Sequence, residues 1–271
     1  RVTLQRVGIL HDSTSCFAEQ AEALAMRHQL PLIAIEQADS AALLLILDQD
    51  GLALHSMDAA GEQPLRIDFG HGRLDYRRRH GGGTQEPLAR AVGLRGGFRP
   101  QLLDATGGFG TDAFVLASLG CQVTLCERSP VMAALLADAL ARAGQKAELA
   151  AIVTRITLRQ CDARDELASG RQHDVICLDP MFPPRRKSAL PRRTMVLLQQ
   201  LVGHDEDADA LLPLALERAR YRVVVKRPRQ APPLAGLTAH HSLEGSSCRF
   251  DVYTLRKLPS KQEAAEAAST S

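Results

Sequence analysis

Acidic residues stand where apolar runs end: Asp104 in "LLDATGGFGTDAF", Glu127 in "TLCER", Asp162 in "LRQCDARD" and Asp179 in "VICLDPMFPP". Gly107, Gly108 and Gly110 follow the first of these acids. Glycines let a ligand approach the main chain, and the helix N-terminus beyond them offers unpaired N–H groups. A carboxylate at Glu127 suits the two hydroxyls of a ribose, as in dinucleotide-binding folds. Asp104, placed ahead of the glycines, would repel a pyrophosphate but attract a ligand carrying an ammonium and a sulfonium. Asp162 can accept a hydrogen bond from an adenine amino group, with the backbone N–H of Ala163 directed at the ring. Taken singly, each feature has a plainer reading: a tight turn, a helix cap at Asp162, a strand stop at Asp179-Pro180.

The segment after Asp179 adds chemistry that a plain strand stop does not need. An exocyclic amine on a base is a poor nucleophile because its lone pair is delocalised into the ring. Asp179 and the carbonyl of Pro180 can accept its two N–H bonds and turn the lone pair toward an electrophile, and proline rigidity keeps those acceptors in place. Phe182 can stack on the base. Amino-methyltransferases carry this kind of Asp-Pro-aromatic strand end, and the reaction it serves needs alignment more than a strong base.

These residues must be positioned by a sheet. From Pro100 onward strands and helices alternate: "QLLDAT", a helix over Thr111 to Leu119, "CQVTLCE", a helix over Pro130 to Ala143, "ITLRQCD", "HDVICLD", helices over Thr194 to Leu201 and Ala208 to Ala219, "YRVVVKRP", and one or two strands in "SSCRFDVYTLRKL". Such alternation predicts a parallel, doubly wound α/β sheet, whose ligands bind along the carboxyl edge. Upstream, "RVGIL", the amphipathic "SCFAEQAEALAMRHQ", "LPLIAI", two strands joined at Gln49-Asp50-Gly51 and a further strand "PLRIDF" predict a small α/β domain. The expected organisation is therefore a small N-terminal α/β domain over 1–69, a Gly/Arg-rich linker with a short helix starting near Glu86 over 70–99, the ligand-binding domain over 100–258 and a disordered tail over 259–271.

The 271 residues carry 45% hydrophobic and 24% charged side chains and a net charge of +2, globular values that do not by themselves announce a polyanion partner. Basic residues are clustered, however. Arg77, Arg78 and Arg79 precede the ligand-binding domain, Arg185, Arg186, Lys187, Arg192 and Arg193 follow Asp179, and "KRPR" spans Lys226 to Arg229. The first two clusters fall where RNA phosphates would be met; a solvated face is the plainer reading of any one cluster. Six cysteines show no CxxC pair or zinc-ligand spacing, so no metal is expected. No run approaches the roughly 20 apolar residues of a membrane span, and a cytoplasmic protein is expected.

"HGGGTQEPLARAVGL", "DATGGFGTDAFVLASLG", "LDPMFPPRRKSAL", "LVGHDEDADALL", "RVVVKRP", "APPLAG" and "RFDVY" together resemble the RsmJ family, bacterial small-subunit ribosomal RNA guanine-N2 methyltransferases. The similarity runs from about residue 66 to residue 254. It implies a Rossmann-like class I methyltransferase sheet, S-adenosylmethionine as methyl donor, and a guanine of 16S rRNA, free or in the 30S particle, as acceptor. By position it places cofactor contacts on Thr111, Asp112, Glu127, Arg128, Asp162, Ala163 and Asp179. Pro-Met-Phe here replaces the more widespread Pro-Pro-aromatic. Three alternatives stay open: an amino-methyltransferase acting on adenine in DNA or RNA, a catalytically inert RNA-binding ribosome-assembly module, and, least supported, an NAD dehydrogenase.

Overall fold

The computed structural model describes residues 7–12, 14–40, 43–57, 61, 63–72, 75, 83–94, 97–180, 196, 208–259 and 263. The first strands are β1 (Val7–His11), β2 (Leu32–Ala34), β3 (Leu43–Asp48) and β4 (Gly51–Ser56), with α1 (Ala18–His28) between β1 and β2. They form a sheet of order β2-β1-β3-β4, with β1 parallel to both neighbours and β3-β4 an antiparallel hairpin. The hairpin closes at the expected turn. Gly51 adopts φ +105, a left-handed conformation that favours glycine.

The rest of the chain supplies α2 (Pro87–Val92), β5 (Gln101–Asp104), α3 (Thr111–Ser118), β6 (Gln122–Cys126), α4 (Pro130–Gly144), α5 (Ala147–Val153), β7 (Ile156–Arg159), α6 (Ala163–Ala168), β8 (His173–Leu178), α7 (Ala208–Arg218), β9 (Ala219–Pro228), β10 (His241–Glu244) and β11 (Cys248–Thr254). The seven strands are ordered β10-β11-β9-β8-β5-β6-β7. Strands β5 to β9 are parallel to their neighbours within that set, while β11 and β10 are antiparallel additions. This is the doubly wound sheet that the alternation predicts. From β5 the chain winds outward to β6 and β7, then returns to build β8 and β9 on the other side. The reversal makes a topological switch point between β5 and β8, where open α/β sheets place ligands.

Apolar side chains cover both faces, as parallel strands require. Leu102, Val175 and Val224 face one buried cluster, and Leu103, Ile176, Val223 and Val225 face the other. The first cluster continues without a break into the N-terminal sheet, through Ile9, Leu43, Leu45, Leu54, Phe69, Phe114 and Leu136. Phe69 and Phe114 stack at a centroid distance of 4.8 Å. His28 of α1 shares a 2.7 Å hydrogen bond with Gln160, just before Cys161-Asp162, and Arg142 of α4 donates to the carbonyl of Ile67 at 2.6 Å. The N-terminal sheet thus buttresses the elements that carry Glu127 and Asp162.

Some expectations need correction. "PLRIDF" makes no strand; Leu65 forms a single bridge to Leu54. Beyond it, Asp68 accepts the Gly70 N–H and turns the chain away. The helices α5 and α6 and the edge strand β10 were not expected; none has more than seven residues, too few for a clear period. The short helix near Glu86 is present as α2. The expected helix over Thr194 to Leu201 and the tail fall almost wholly outside the described residues. Among the described residues no helix is long and apolar enough to cross a membrane.

Replacing Phe114 with Ala should destabilise the protein by about 3–5 kcal/mol, because it opens a cavity and removes the stack on Phe69. Denaturant unfolding measures this, and a loss under about 1 kcal/mol would show that the two sheets do not depend on that joint.

Candidate active site

Thr106 joins the two halves of the large sheet at the switch point. The Asp179 amide N–H donates to Thr106 Oγ1 at 2.6 Å, and the Thr106 N–H donates to Asp104 Oδ1 at 3.1 Å. The ends of β5 and β8 are therefore locked in register. Pro180 is buried, whereas the Asp179 side chain remains 45% exposed.

The glycine turn is built for close approach. The Gly107 N–H donates to the Cys126 carbonyl at 2.8 Å, and a Cβ on Gly107 would stand only 2.7 Å from that oxygen. Gly108 and Gly110 take φ +52 and +67, and a Cβ on Gly110 would meet Leu136 at 2.8 Å. Gly110 serves as the N-cap of α3, so Thr111 and Asp112 form its first turn. Glu127 is buried at the end of β6, where Oε2 accepts the Gly108 N–H at 2.8 Å and Oε1 the Ser129 N–H at 2.7 Å. Its carboxylate fastens the turn to the start of α4, and Arg128 beside it is exposed.

One strand further out, Asp162 caps α6, accepting the Arg164 N–H at 2.8 Å, and pairs with the Arg164 guanidinium at 2.7 Å. The Arg164 hydrogen bonds hold its carboxyl below the usual range. The helix-cap reading of Asp162 thus describes the structure, and Ala163 is buried behind it.

Lys226 is the residue that the sequence did not single out. Its ammonium lies 2.8 Å from Asp112 Oδ2 and 2.8 Å from Asp179 Oδ2. Burial works against its charge, but the Coulomb pull of Asp112 and Asp179 outweighs it and raises the pKa above the ordinary value. Arg227 is buried and donates to the Pro232 carbonyl, and Arg229 donates to the Gly245 carbonyl. A detectable signal was present: a lysine inside a Val-rich strand needs an acidic partner.

Asp104 is only 8% exposed. Burial pushes its carboxyl from 3.8 up to about 7, the Thr106 N–H pulls it back, Asp112 and Asp179 raise it further, and Lys226 opposes them. A buried carboxyl with a pKa near 7, beside Asp112 and Asp179, offers acceptors suited to a cationic ligand. S-adenosylmethionine, with an ammonium, a sulfonium and a ribose, fits these residues.

Phe182, Arg185, Arg186, Lys187, Arg192, Arg193, Arg77, Arg78 and Arg79 lie outside the described residues. Among the described residues, Cys126, Cys161 and Glu166 place possible metal-ligand atoms within 4.8 Å of one another. Burial raises both thiols, however, and Arg171 already holds Glu166 at 2.8 Å. An open polar cleft of about 320 Å³ lies at the opposite, amino ends of the strands, beside Gln101, Gln122 and His173, and contains none of these acids.

The strand order, with the matches that follow, places the chain in the class of Rossmann-like S-adenosylmethionine (SAM) methyltransferases. The family model "Putative SAM-dependent methyltransferase" matches residues 24–255. Proteins named ribosomal RNA small subunit methyltransferase J are similar over most of their length: that of Cellvibrio japonicus is 46% identical over 257 residues, covering 91% of this chain and 97% of its own. That of Thioalkalivibrio sulfidiphilus is 50% identical over 240 residues, covering 87% and 92%. The crystal structure of a SAM-dependent methyltransferase from Neisseria gonorrhoeae superposes with a TM-score of 0.70 at 32% identity, covering 93% of this chain and 97% of that one. The chain belongs to the ribosomal RNA small subunit methyltransferase J family of SAM-dependent methyltransferases.

Asp104 has a pKa raised in the fold, so its contribution to the ligand-free protein's stability is full below 3.8 and is lost as pH rises through about 7. Cofactor binding should run the other way, strengthening through about 7 as the carboxylate forms. Thermal melts and calorimetry across this range test both trends. Asp104→Asn should flatten them, and unchanged slopes would show that Asp104 is not the titrating group.

Proposed function

We propose that this protein transfers a methyl group from S-adenosylmethionine to the exocyclic N2 amine of a guanine in 16S rRNA. The observation that carries this reading is the strand end at Asp179-Pro180. Its backbone is tied to Thr106 of the cofactor turn and its carboxylate to Lys226, beside the acid-rich cofactor edge. The names of the relatives, ribosomal RNA small subunit methyltransferase J, support RNA as substrate.

Bound cofactor supplies an electrophilic methyl on a sulfonium. Asp104 and Asp112 offer charge to its cationic end, Gly107, Gly108, Gly110 and Thr111 form the turn beneath it, and Glu127 accepts from the ribose, with Arg128, Asp162 and Ala163 toward the adenine. Asp179 and the Pro180 carbonyl accept the N–H bonds of the guanine amine and orient its lone pair. With Lys226 on one of its oxygens, Asp179 serves as a hydrogen-bond acceptor rather than a strong base, and the proton that the amine loses on methylation passes to water. Phe182 stacks on the base, and Arg77, Arg78, Arg79, Arg185, Arg186, Lys187, Arg192 and Arg193 meet phosphates, in free 16S rRNA or the 30S particle. Residues 1–69 act as a small supporting domain to a catalytic domain over 100–258.

Tritium transfer from S-adenosylmethionine to rRNA lacking the modification, followed by nucleoside mass spectrometry, tests the reading. N2-methylguanosine is expected; methyladenosine, or no transfer despite RNA binding, would reject it. Asp179→Ala should lower turnover at least about a hundredfold while RNA affinity persists. Turnover within about threefold of wild type would remove Asp179 from the chemistry. Replacing Arg185, Arg186 and Lys187 together with Ala should weaken RNA binding and flatten its salt dependence, and an unaltered slope would relegate the cluster to plain surface.

A further inference from the structure

We propose that Lys226 is a positioning residue: its ammonium clamps Asp112, on the cofactor turn's helix, to Asp179, on the amine-binding strand end, so that donor and acceptor sites are held as one unit. The proposal rests on the functional reading above for the roles of those two acids, but its geometry stands independently. Lys226 lies inside β9, between the β8 strand on one side and β11 on the other, with its backbone opposite Phe250. Both of its carboxylate contacts are 2.8 Å, and the side chains are 19% exposed at Asp112, 30% at Lys226 and 45% at Asp179.

Asp112 and Asp179 come from separate elements and repel each other wherever both are ionised. An ammonium between them converts that repulsion into attraction. In a half-buried site such a bridge is screened less than a surface pair. A neutral side chain at 226 would remove the ammonium that both carboxylates contact, and with it the attraction drawing Asp112 and Asp179 together. Transfer to an amine depends on alignment, so loss of the clamp should lower turnover more than it weakens RNA binding.

The clamp also faces Asp104. Among the described residues, the charged groups acting on that carboxyl are Asp112 from α3, Asp179 from the end of β8 and Lys226 from β9, with the Thr106 N–H donating to it and the thiols of Cys126 and Cys177 also facing it. Lys226 alone among these side chains favours the ionised form of Asp104. Removing its charge therefore moves the ionisation of Asp104, and with it cofactor binding, to higher pH. A residue that only filled space would leave that midpoint in place.

The experiment is calorimetric titration of S-adenosylmethionine into the whole protein over about pH 5.5 to 8.5, for wild type, Lys226→Met, Lys226→Gln and Lys226→Arg, with methyl transfer measured in parallel. Both neutral variants should move the binding midpoint upward by at least about half a pH unit and lower kcat about tenfold or more, with KM for RNA little changed. Lys226→Arg should restore the midpoint and most of kcat. A midpoint that stays in place in whichever neutral variant folds overturns the clamp, as does a midpoint shift that Lys226→Arg fails to reverse. If wild type binds cofactor but puts no methyl on guanine, the acceptor assignment fails by itself, and the binding midpoints still decide the role of Lys226.

Discussion

Carboxylates at neighbouring strand ends repel one another, and the carboxyl edge of this sheet gathers Asp104, Asp112, Glu127 and Asp179 around the point where the winding direction reverses. The structure answers each charge differently. Glu127 accepts hydrogen bonds from backbone N–H groups of the glycine turn and of the Ser129 cap of α4. Asp112 and Asp179 share one ammonium. Asp104, buried and near the other acids, is kept near its neutral form with a pKa of about 7. On the proposed reading a cationic cofactor adds its ammonium to this set of acids.

On the proposed reading, the same edge sets the geometry for transfer. Thr106 is the joint: one residue holds Asp104 through its amide and Asp179 through its hydroxyl, so the ends of β5 and β8 cannot drift independently. Gly107 lets the turn pass against the Cys126 carbonyl, where any side chain would collide. The N-terminal sheet contributes by packing: Phe69 on Phe114 braces α3, and Arg142 and His28 tie it to α4 and the end of β7.

What the sequence made legible was what depends on neighbours in the chain. Alternating strands and helices predict the doubly wound sheet, because periodicity and turn glycines are local signals. Asp104, Glu127 and Asp179 could be placed on one edge because each closes an apolar strand. Lys226 could not be read this way. Its partners lie 114 and 47 residues away, and "KRPR" has the look of a surface patch until β9 is seen beside β8. Asp162 shows the reverse case, since its local role as a helix cap was legible and is what the fold displays. The expected strand at "PLRIDF" failed because Asp68 bends the chain toward α4 after a single bridge.

The proposed transfer needs a guanine amine to meet Asp179 while a cofactor ribose rests on Glu127. A crystal structure with S-adenosylhomocysteine and guanosine tests that pairing most directly. The account predicts the guanosine N2 within about 3 Å of an Asp179 carboxylate oxygen and the cofactor hydroxyls at a similar distance from Glu127. Guanosine bound with N2 turned away from Asp179, or a cofactor whose ribose leaves Glu127 untouched, would contradict it.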